Sequence, residues 1–571
     1  MRTPVRLLTL VALALGGCGG VSAPVAIELV VAASGGACTE AQATAPMSTL
    51  SATFLRVSVI ERALGTASLQ CDRRVEMAES TGNATLSLET DTTTRLDLLV
   101  EAYDSSEPPQ LVASGVAIGI NRRPRLAPLQ ILLVPVGGFA CAPGLLGSGR
   151  ALHSATLLPN GQVLVVGGVT TVGGGQLAAN DTIEVYDPRL GTFTAVGGDV
   201  LPGSALHTAT VLAAPGPLGP YDLLMVGGIR AKATTGPMIA IGGATDALPL
   251  MPTAAAGPTP SFVLRYYPWA DPPEVRVMAG SPQLEGRMLQ AAGVAGSRLI
   301  VAGGLSDATG GQLASINDFE ILPARDLSMH DGPFALARPR IGAVAGALSE
   351  NALIIYGGNL LSADDAMVAA DAAEVVTLGE TVTSEVAAFE AGSATLVGPV
   401  AHATLTPIAD GLLVAGGLAV RPGSARAVRE TRPVVRLSQV EEAVRVVEVG
   451  GDPFTPVAYH AAVPLAGGDA LLLGGASTTC AGGGLCATAA VYRYGATTGT
   501  LARGASPMLT ARFGHAVTLL DDGTVLVTGG LTSQGTAPIA PSSAELYVPP
   551  PSAGQDQFGR APGEVSGPGC P

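Results

Sequence analysis

Seven times along the chain a short apolar run closes on a pair of glycines: Gly167-Gly168, Gly227-Gly228, Gly303-Gly304, Gly357-Gly358, Gly416-Gly417, Gly474-Gly475 and Gly529-Gly530. The first glycines are 60, 76, 54, 59, 58 and 55 residues apart, and a recurring unit of that size is the signature of a radially repeated fold. Each unit is then one supersecondary element whose apolar surface only its neighbours cover.

The units have internal grammar. In the first, an apolar run after His153 meets Asn160-Gly161, and a second run, Val163 to Val166, ends at the glycine pair. A polar loop and the run Ile183-Glu184-Val185-Tyr186 follow. The last unit repeats this with His515, Asp522-Gly523, Val525 to Thr528 and Ala544-Glu545-Leu546-Tyr547. Two apolar runs joined by Asn-Gly or Asp-Gly form a hairpin, because both turn positions favour positive φ. Runs such as Val163 to Val166 and Leu471 to Leu473 do not alternate, so these strands are covered on both faces.

This grammar resembles the kelch motif: a strand with a histidine near its start, a strand ending in Gly-Gly, then a strand ending near Tyr-Asp. The resemblance spans residues 145–550 and implies an all-β chain, a seven-bladed kelch-type β-propeller of the galactose-oxidase kind. Repeats 2 and 5 depart from it. Repeat 2 carries a Pro/Gly/Ala-rich insert from Ala231 to Pro260, expected to be poorly ordered, and repeat 5 lacks a clear Glu-Val-Tyr strand.

Residues 24–136 read differently. Six β-rich runs, Val25 to Val31, Thr53 to Ile60, Ala84 to Leu88, Arg95 to Tyr103, Val112 to Ile120 and Leu129 to Val136, predict a small antiparallel β-sandwich ahead of the propeller. The start, Met1 to Leu15, joins a basic end to a short apolar core, as a secretory signal does. Leu15-Gly16-Gly17-Cys18 resembles the bacterial lipobox, which implies a signal over 1–18, a lipid on Cys18 and, with Gly19 following, an outer-membrane address. Residues 551–571 form a tail.

Net charge is −15, with Lys232 the single lysine, so nucleic acid is not an expected partner. Apart from Cys18, six cysteines remain: Cys38, Cys71, Cys141, Cys480, Cys486 and Cys570. An even number in an exported chain predicts disulfides. Cys38 and Cys71 share the N-terminal region, Cys480 and Cys486 flank one loop, and Cys141 and Cys570 bracket the repeats, so a Cys141–Cys570 bridge is expected to close them. Leu129 to Val136 is the expected source of the last repeat's fourth strand.

Polar residues point to architecture more than to catalysis. His153, His207, His402, His460 and His515 share one repeat position, filled by Gln290 and Ala343 elsewhere. Spread over seven blades, they cannot converge on one metal, so each is expected to bond its own blade's backbone. Galactose oxidase has a histidine in a phrase similar to His153 to Pro159, but its copper chemistry also needs a Cys–Tyr crosslink, and here only Tyr459-His460 forms a Tyr-His pair. Asp364-Asp365 and Asp521-Asp522 lie in turns, and Gly173 to Gly175 and Gly482 to Gly484 precede no helix.

Arginine stands three residues before the histidine position in repeats 1, 3, 4 and 7: Arg150, Arg287, Arg340 and Arg512. Glutamate recurs on the third strand of the same four: Glu184, Glu320, Glu374 and Glu545. This coincidence predicts four structural ion pairs, each within a blade. The expected function is a monomeric, lipid-anchored binding or scaffolding module without cofactor, metal or catalytic residues. It touches the membrane through its anchor alone and takes a protein or carbohydrate ligand on rim loops such as 231–260 and 360–371. The rival is a carbohydrate-active enzyme of the galactose-oxidase type.

Overall fold

A computed structural model describes residues 11–12, most of 23–551, and 563–565; outside it lie 1–10, 13–22, 33–37, 39–46, 121–128, 232–238, 242–249, 362–366, 421–426, 478–484, 552–562, 566–571 and some shorter stretches. Among the described residues the chain is all-β apart from short 3-10 turns.

The N-terminal region is one eight-stranded sheet in the order 11–12, 84–88, 23–31, 129–135, 111–120, 95–103, 54–63, 66–76. It is mixed and not antiparallel throughout: Ala23–Val31 runs parallel to Leu129–Pro135, with Val31 opposite Leu133. Leu29, Leu55, Val59, Leu98, Val100, Ile131 and Leu133 form its core. The strand Thr66–Glu76 has no apolar signature in the sequence because it lies at the edge, where Arg73, Arg74 and Glu76 face solvent, a normal defence of a free edge.

Each of the seven repeats forms its own antiparallel sheet of four strands. In repeat 1 these are Ser154–Leu157, Val163–Val166, Ile183–Asp187 and Thr192–Ala195, hydrogen-bonded in chain order. In repeats 2 and 6 a two-residue fifth strand, Gly197–Gly198 or Gly450–Gly451, adds in parallel to the outer edge. Repeat 5 has its third strand at Val435–Val440. Between the glycine pair and the third strand a small hairpin forms, for example Leu305–Asp307 with Leu313–Ser315. Residues around these hairpins gather into one apolar cluster with members from every repeat, including Ala151, Ala205, Met288, Ile341, Leu418, Tyr459 and Phe513.

Several expectations are corrected. The fourth strand of repeat 7 is Phe139–Cys141, antiparallel to Ala544–Tyr547, whereas Leu129–Pro135 stays in the N-terminal sheet. Cys141 is bonded to Cys38, with Cα atoms 5.4 Å apart, and not to Cys570. The reason is topological: Ala23–Val31 and Leu129–Pro135 leave the sheet side by side in the same direction, so the residues that follow them arrive together. The 231–260 insert is built in part from strands: Ile239–Ile241 extends the sheet of Val169–Val172 and Gln176–Ala179, Ala256–Pro258 pairs with Ile229–Ala231, and Ile239 is buried.

The opposite face of the N-terminal sheet packs over the seam between repeats 7 and 1. There Ala32, Leu132 and Val134 join Val163, Val165, Leu526, Leu546 and Val548 in one core. Arg62 reaches the Asp521 carbonyl of repeat 7 at 2.5 Å, and Arg56 donates to the Glu564 carbonyl at 2.9 Å.

Candidate functional residues at the repeat joints

The glycine pairs are where one repeat meets the next. Both glycines have positive φ, as Gly357 (72°) and Gly358 (92°) do, a conformation without cost only where Cβ is absent. The second glycine donates its N–H to a carbonyl of the following repeat: Gly304 to Arg340 (2.7 Å), Gly358 to Val400 (2.8 Å), Gly417 to Val457 (2.8 Å), Gly475 to Arg512 (2.9 Å) and Gly530 to Arg150 (2.8 Å). A Cβ on Gly357 would lie 1.9 Å from the Val400 oxygen, so the first glycine is required by this approach.

Three of those carbonyls belong to Arg340, Arg512 and Arg150, and these arginines, with Arg287 of repeat 3, use their side chains inward. Arg340 Nε lies 2.8 Å from Glu374 Oε1 and Arg512 Nη2 lies 2.5 Å from Glu545 Oε1; Arg150 pairs with Glu184 and Arg287 with Glu320. All eight residues are buried. Each guanidinium also donates to the carbonyl of its own first glycine, as Arg340 does to Gly357 at 2.7 Å. The glutamates occupy one register, each opposite the second-strand residue two before the glycine: Val165, Val301, Ile355 and Val527.

Their remaining oxygen capacity goes to the segment leading into the repeat. Gly147 N donates to Glu184 (2.7 Å), Ala337 N to Glu374 (2.8 Å) and Leu509 N to Glu545 (2.7 Å). In repeat 3 the imidazole of His330 bonds Glu320. Burial lowers the Arg150 pKa, opposed by the Glu184 carboxylate.

The histidines work between repeats, which corrects the expectation that each bonds its own backbone. His153 bonds Thr528 Oγ1 of repeat 7 (2.8 Å), His207 bonds Ser154 Oγ of repeat 1 (2.8 Å) and His460 bonds Thr404 Oγ1 of repeat 5 (2.7 Å). Gln290 does the same through Nε2 to the Val226 carbonyl, 3.0 Å away. Burial pushes His460 down to about 4 and His153 and His515 well below the ordinary imidazole range, so these rings are neutral.

His402 does not belong to this set. Ala403 stands opposite Gly416, and His402, one residue earlier at φ 57°, takes the place of Leu152, Leu206, Leu289 and Gly342. These residues pass backbone bonds from repeat to repeat: Leu206 N to Leu152 O (2.9 Å), Gly342 N to Leu289 O (2.8 Å), His402 N to Gly342 O (2.9 Å), Gly514 N to Tyr459 O (2.8 Å) and Leu152 N to Gly514 O (2.8 Å). The His402 and Tyr459 rings stack with centroids 4.5 Å apart.

Cys18, Cys480, Cys570, Asp364 and Asp365 lie outside the described residues. Cys71 and Cys486 are each in a disulfide whose partner also lies outside them. Asp521 faces Arg62, while Asp522 is half-buried, a desolvation that raises its pKa, and accepts from Thr524 N. Among the described residues no three His, Cys, Asp or Glu side chains gather as a metal site would require. The sequence signalled neither the buried bidentate pair Arg56–Glu101 nor the contact of the exposed Trp269 with the half-buried Tyr267.

No known family matches the sequence, and no curated protein is similar to it. The chain is similar to a solved structure described as "Structure of YjhT", at 13% identity, covering 63% of this chain and 96% of that one, with a TM-score of 0.36. A likeness that slight carries no argument.

Proposed function

We propose that the seven sheets are blades of one kelch-type propeller, and that the protein is a lipid-anchored, extracytoplasmic binding or scaffolding module. The blade reading is supported by two sets of inter-repeat bonds that run from repeat 7 back to repeat 1, through Gly530 to Arg150 and Leu152 to Gly514. The single apolar cluster drawn from all seven repeats supports it too.

One observation carries the binding reading: the repeated Arg and Glu residues are consumed inside the sheets and the His and Gly residues at the joints, so the frame is fixed and the hairpins after the glycine pairs are free to differ. They do differ, from the compact pair Leu305–Asp307 with Leu313–Ser315 to the four described strands between Ile229 and Pro258 in repeat 2. Specificity on variable connections above a rigid scaffold is the usual division of labour. The anchor would be the lipid on Cys18.

Site-specific photo-crosslinking tests this in intact envelopes. The full-length chain would carry a photoreactive residue at Arg230 or Asp307 on the hairpins, or at Glu385 on an outer strand, all exposed. Discrete adducts from the hairpin positions and none from Glu385 are expected; their absence from both hairpin positions would sink the reading. Replacing Cys18 by Ala should abolish incorporation of labelled fatty acid.

A further inference from the structure

The chain has one tryptophan, and it is not buried: Trp269 is 59% exposed, in the turn between Phe262–Tyr267 and Glu274–Ala279 of repeat 2. Its neighbour Tyr267 meets it at 80° with centroids 5.9 Å apart, so the two rings form a corner. The Arg276 guanidinium stands 5.8 Å from the Tyr267 centroid. That leaves the indole as the open aromatic surface.

Register places charged groups around this corner. Tyr267 is opposite Glu274, Arg265 is opposite Arg276, and Asp222 is opposite Arg265, so all five lie on one face of the sheet. Arg265 and Asp222 are joined by two hydrogen bonds of 2.7 Å. Toward the inner end of the same face, Val263 packs against Leu299, Val301 and Leu322 of repeat 3. The face is therefore apolar where sheets meet, and aromatic and charged where it emerges.

We propose that this corner binds a neutral oligosaccharide, one pyranose ring stacking on the Trp269 indole and its hydroxyls bonding Arg276, Glu274 and the Arg265–Asp222 pair. The C–H bonds on one side of a pyranose present positive edges to the negative face of an aromatic ring. Its equatorial hydroxyls both donate and accept, which suits a surround holding guanidinium and carboxylate groups, and bonds to ionised partners are the strong ones. Size argues against a protein occupant. An indole offers at most about 250 Å², and a stable protein interface needs about 800 Å² on each side, whereas exposed charges and prolines border Trp269 at once. The net charge of −15 disfavours a polyanionic glycan. The corner lies outside the hairpins of the binding module proposed above, so its failure would leave that reading standing.

Because Trp269 is the only tryptophan, its emission reports this site alone. The full chain would be titrated with cellohexaose, xylohexaose and N-acetylchitohexaose. A saturable blue shift with at least one of them is expected, and Arg276→Ala should weaken it about tenfold to a hundredfold, the worth of one charge-assisted bond. Calorimetry on Trp269→Ala should show no binding of the same sugar, while its unfolding midpoint stays that of the parent. The proposal is overturned if no hexasaccharide moves the emission, if the affinity survives both substitutions, or if the shift comes from protein concentration alone, which would mark contact between copies.

Discussion

Repeats 1, 3, 4 and 7 hold a buried arginine and glutamate where repeats 5 and 6 hold only apolar or aromatic side chains. Val400 and Val435 occupy the two positions in repeat 5, and Val457 and Tyr492 in repeat 6. The joint to the preceding repeat is the same in both classes, since Val400 O and Val457 O accept the glycine N–H as Arg340 O does. The ion pair is thus not what connects repeats. It stiffens each sheet from inside, and both partners are present or absent together because a lone buried charge is the costly state.

The sharpest way to break this comparison is to remove one partner. Glu374→Ala strands the fully buried Arg340 and frees the N–H groups of Ala337 and Arg338, and should lower unfolding free energy by about 3–5 kcal/mol in urea titrations. The double change Arg340→Val with Glu374→Val imitates repeat 5 and should cost less than Glu374→Ala alone. A double mutant costing the sum of the singles would refute the coupling.

A smaller effect separates the joint from the pair. Gly357→Ala places a Cβ at φ 72° against the Val400 carbonyl and should destabilise by about 2–4 kcal/mol, strain and overpacking together. It should do so although repeat 5 lacks an ion pair. An alanine variant within experimental error of the parent would show that the backbone contact is dispensable.

The smallest effect at neutral pH belongs to His460→Gln, which copies Gln290 of repeat 3 and should cost about 1 kcal/mol. Its signature is the acid limb. The folded pKa of His460 is about 4 against 6.5 for the free imidazole, so the unfolded chain takes up the proton first and stability falls as pH drops from 6.5 to 4. That term is worth about 3 kcal/mol, and pH-dependent denaturation of the glutamine variant should lose it. An identical acid slope in both proteins would contradict the assignment.

The Arg and Glu positions were legible because they sit 16 or 17 residues before and after glycines that mark the end of a strand. The histidine position was legible only where turn length is constant. In repeat 1 five residues separate Leu157 from its partner Val163, but in repeat 5 only Ala409 and Asp410 separate Ile408 from Gly411. A spacing of fourteen therefore lands on His402 when the register asks for Ala403, and a one-residue slip moves a strand side chain to the other face. The Cys38–Cys141 bond was hidden because it depends on a parallel pairing in another sheet. Inside 231–260, Ile239–Ile241 was hidden because its pairing partner is the repeat 1 hairpin strand Gln176–Ala179, which the insert's own composition does not show. Trp269 gave no pattern at all, since a lone exposed ring has no period.

The strand Phe139–Cys141 also sets a schedule for synthesis. Its hydrogen-bonding partners, Ala544–Tyr547, lie about 400 residues further along the chain. At about 5–20 residues per second they emerge roughly 20–80 s later. Throughout that interval Phe139–Cys141 has no partner strand, whatever the repeats between have reached. The apolar face of Leu132 and Val134 waits with it for its cover from repeat 7. A nascent chain in this condition offers an open strand and a sticky surface to any neighbour in the same state. Pairing with a second copy is thus the characteristic hazard of this architecture, and truncations before Ala544 should be more prone to aggregation than truncations after Tyr547.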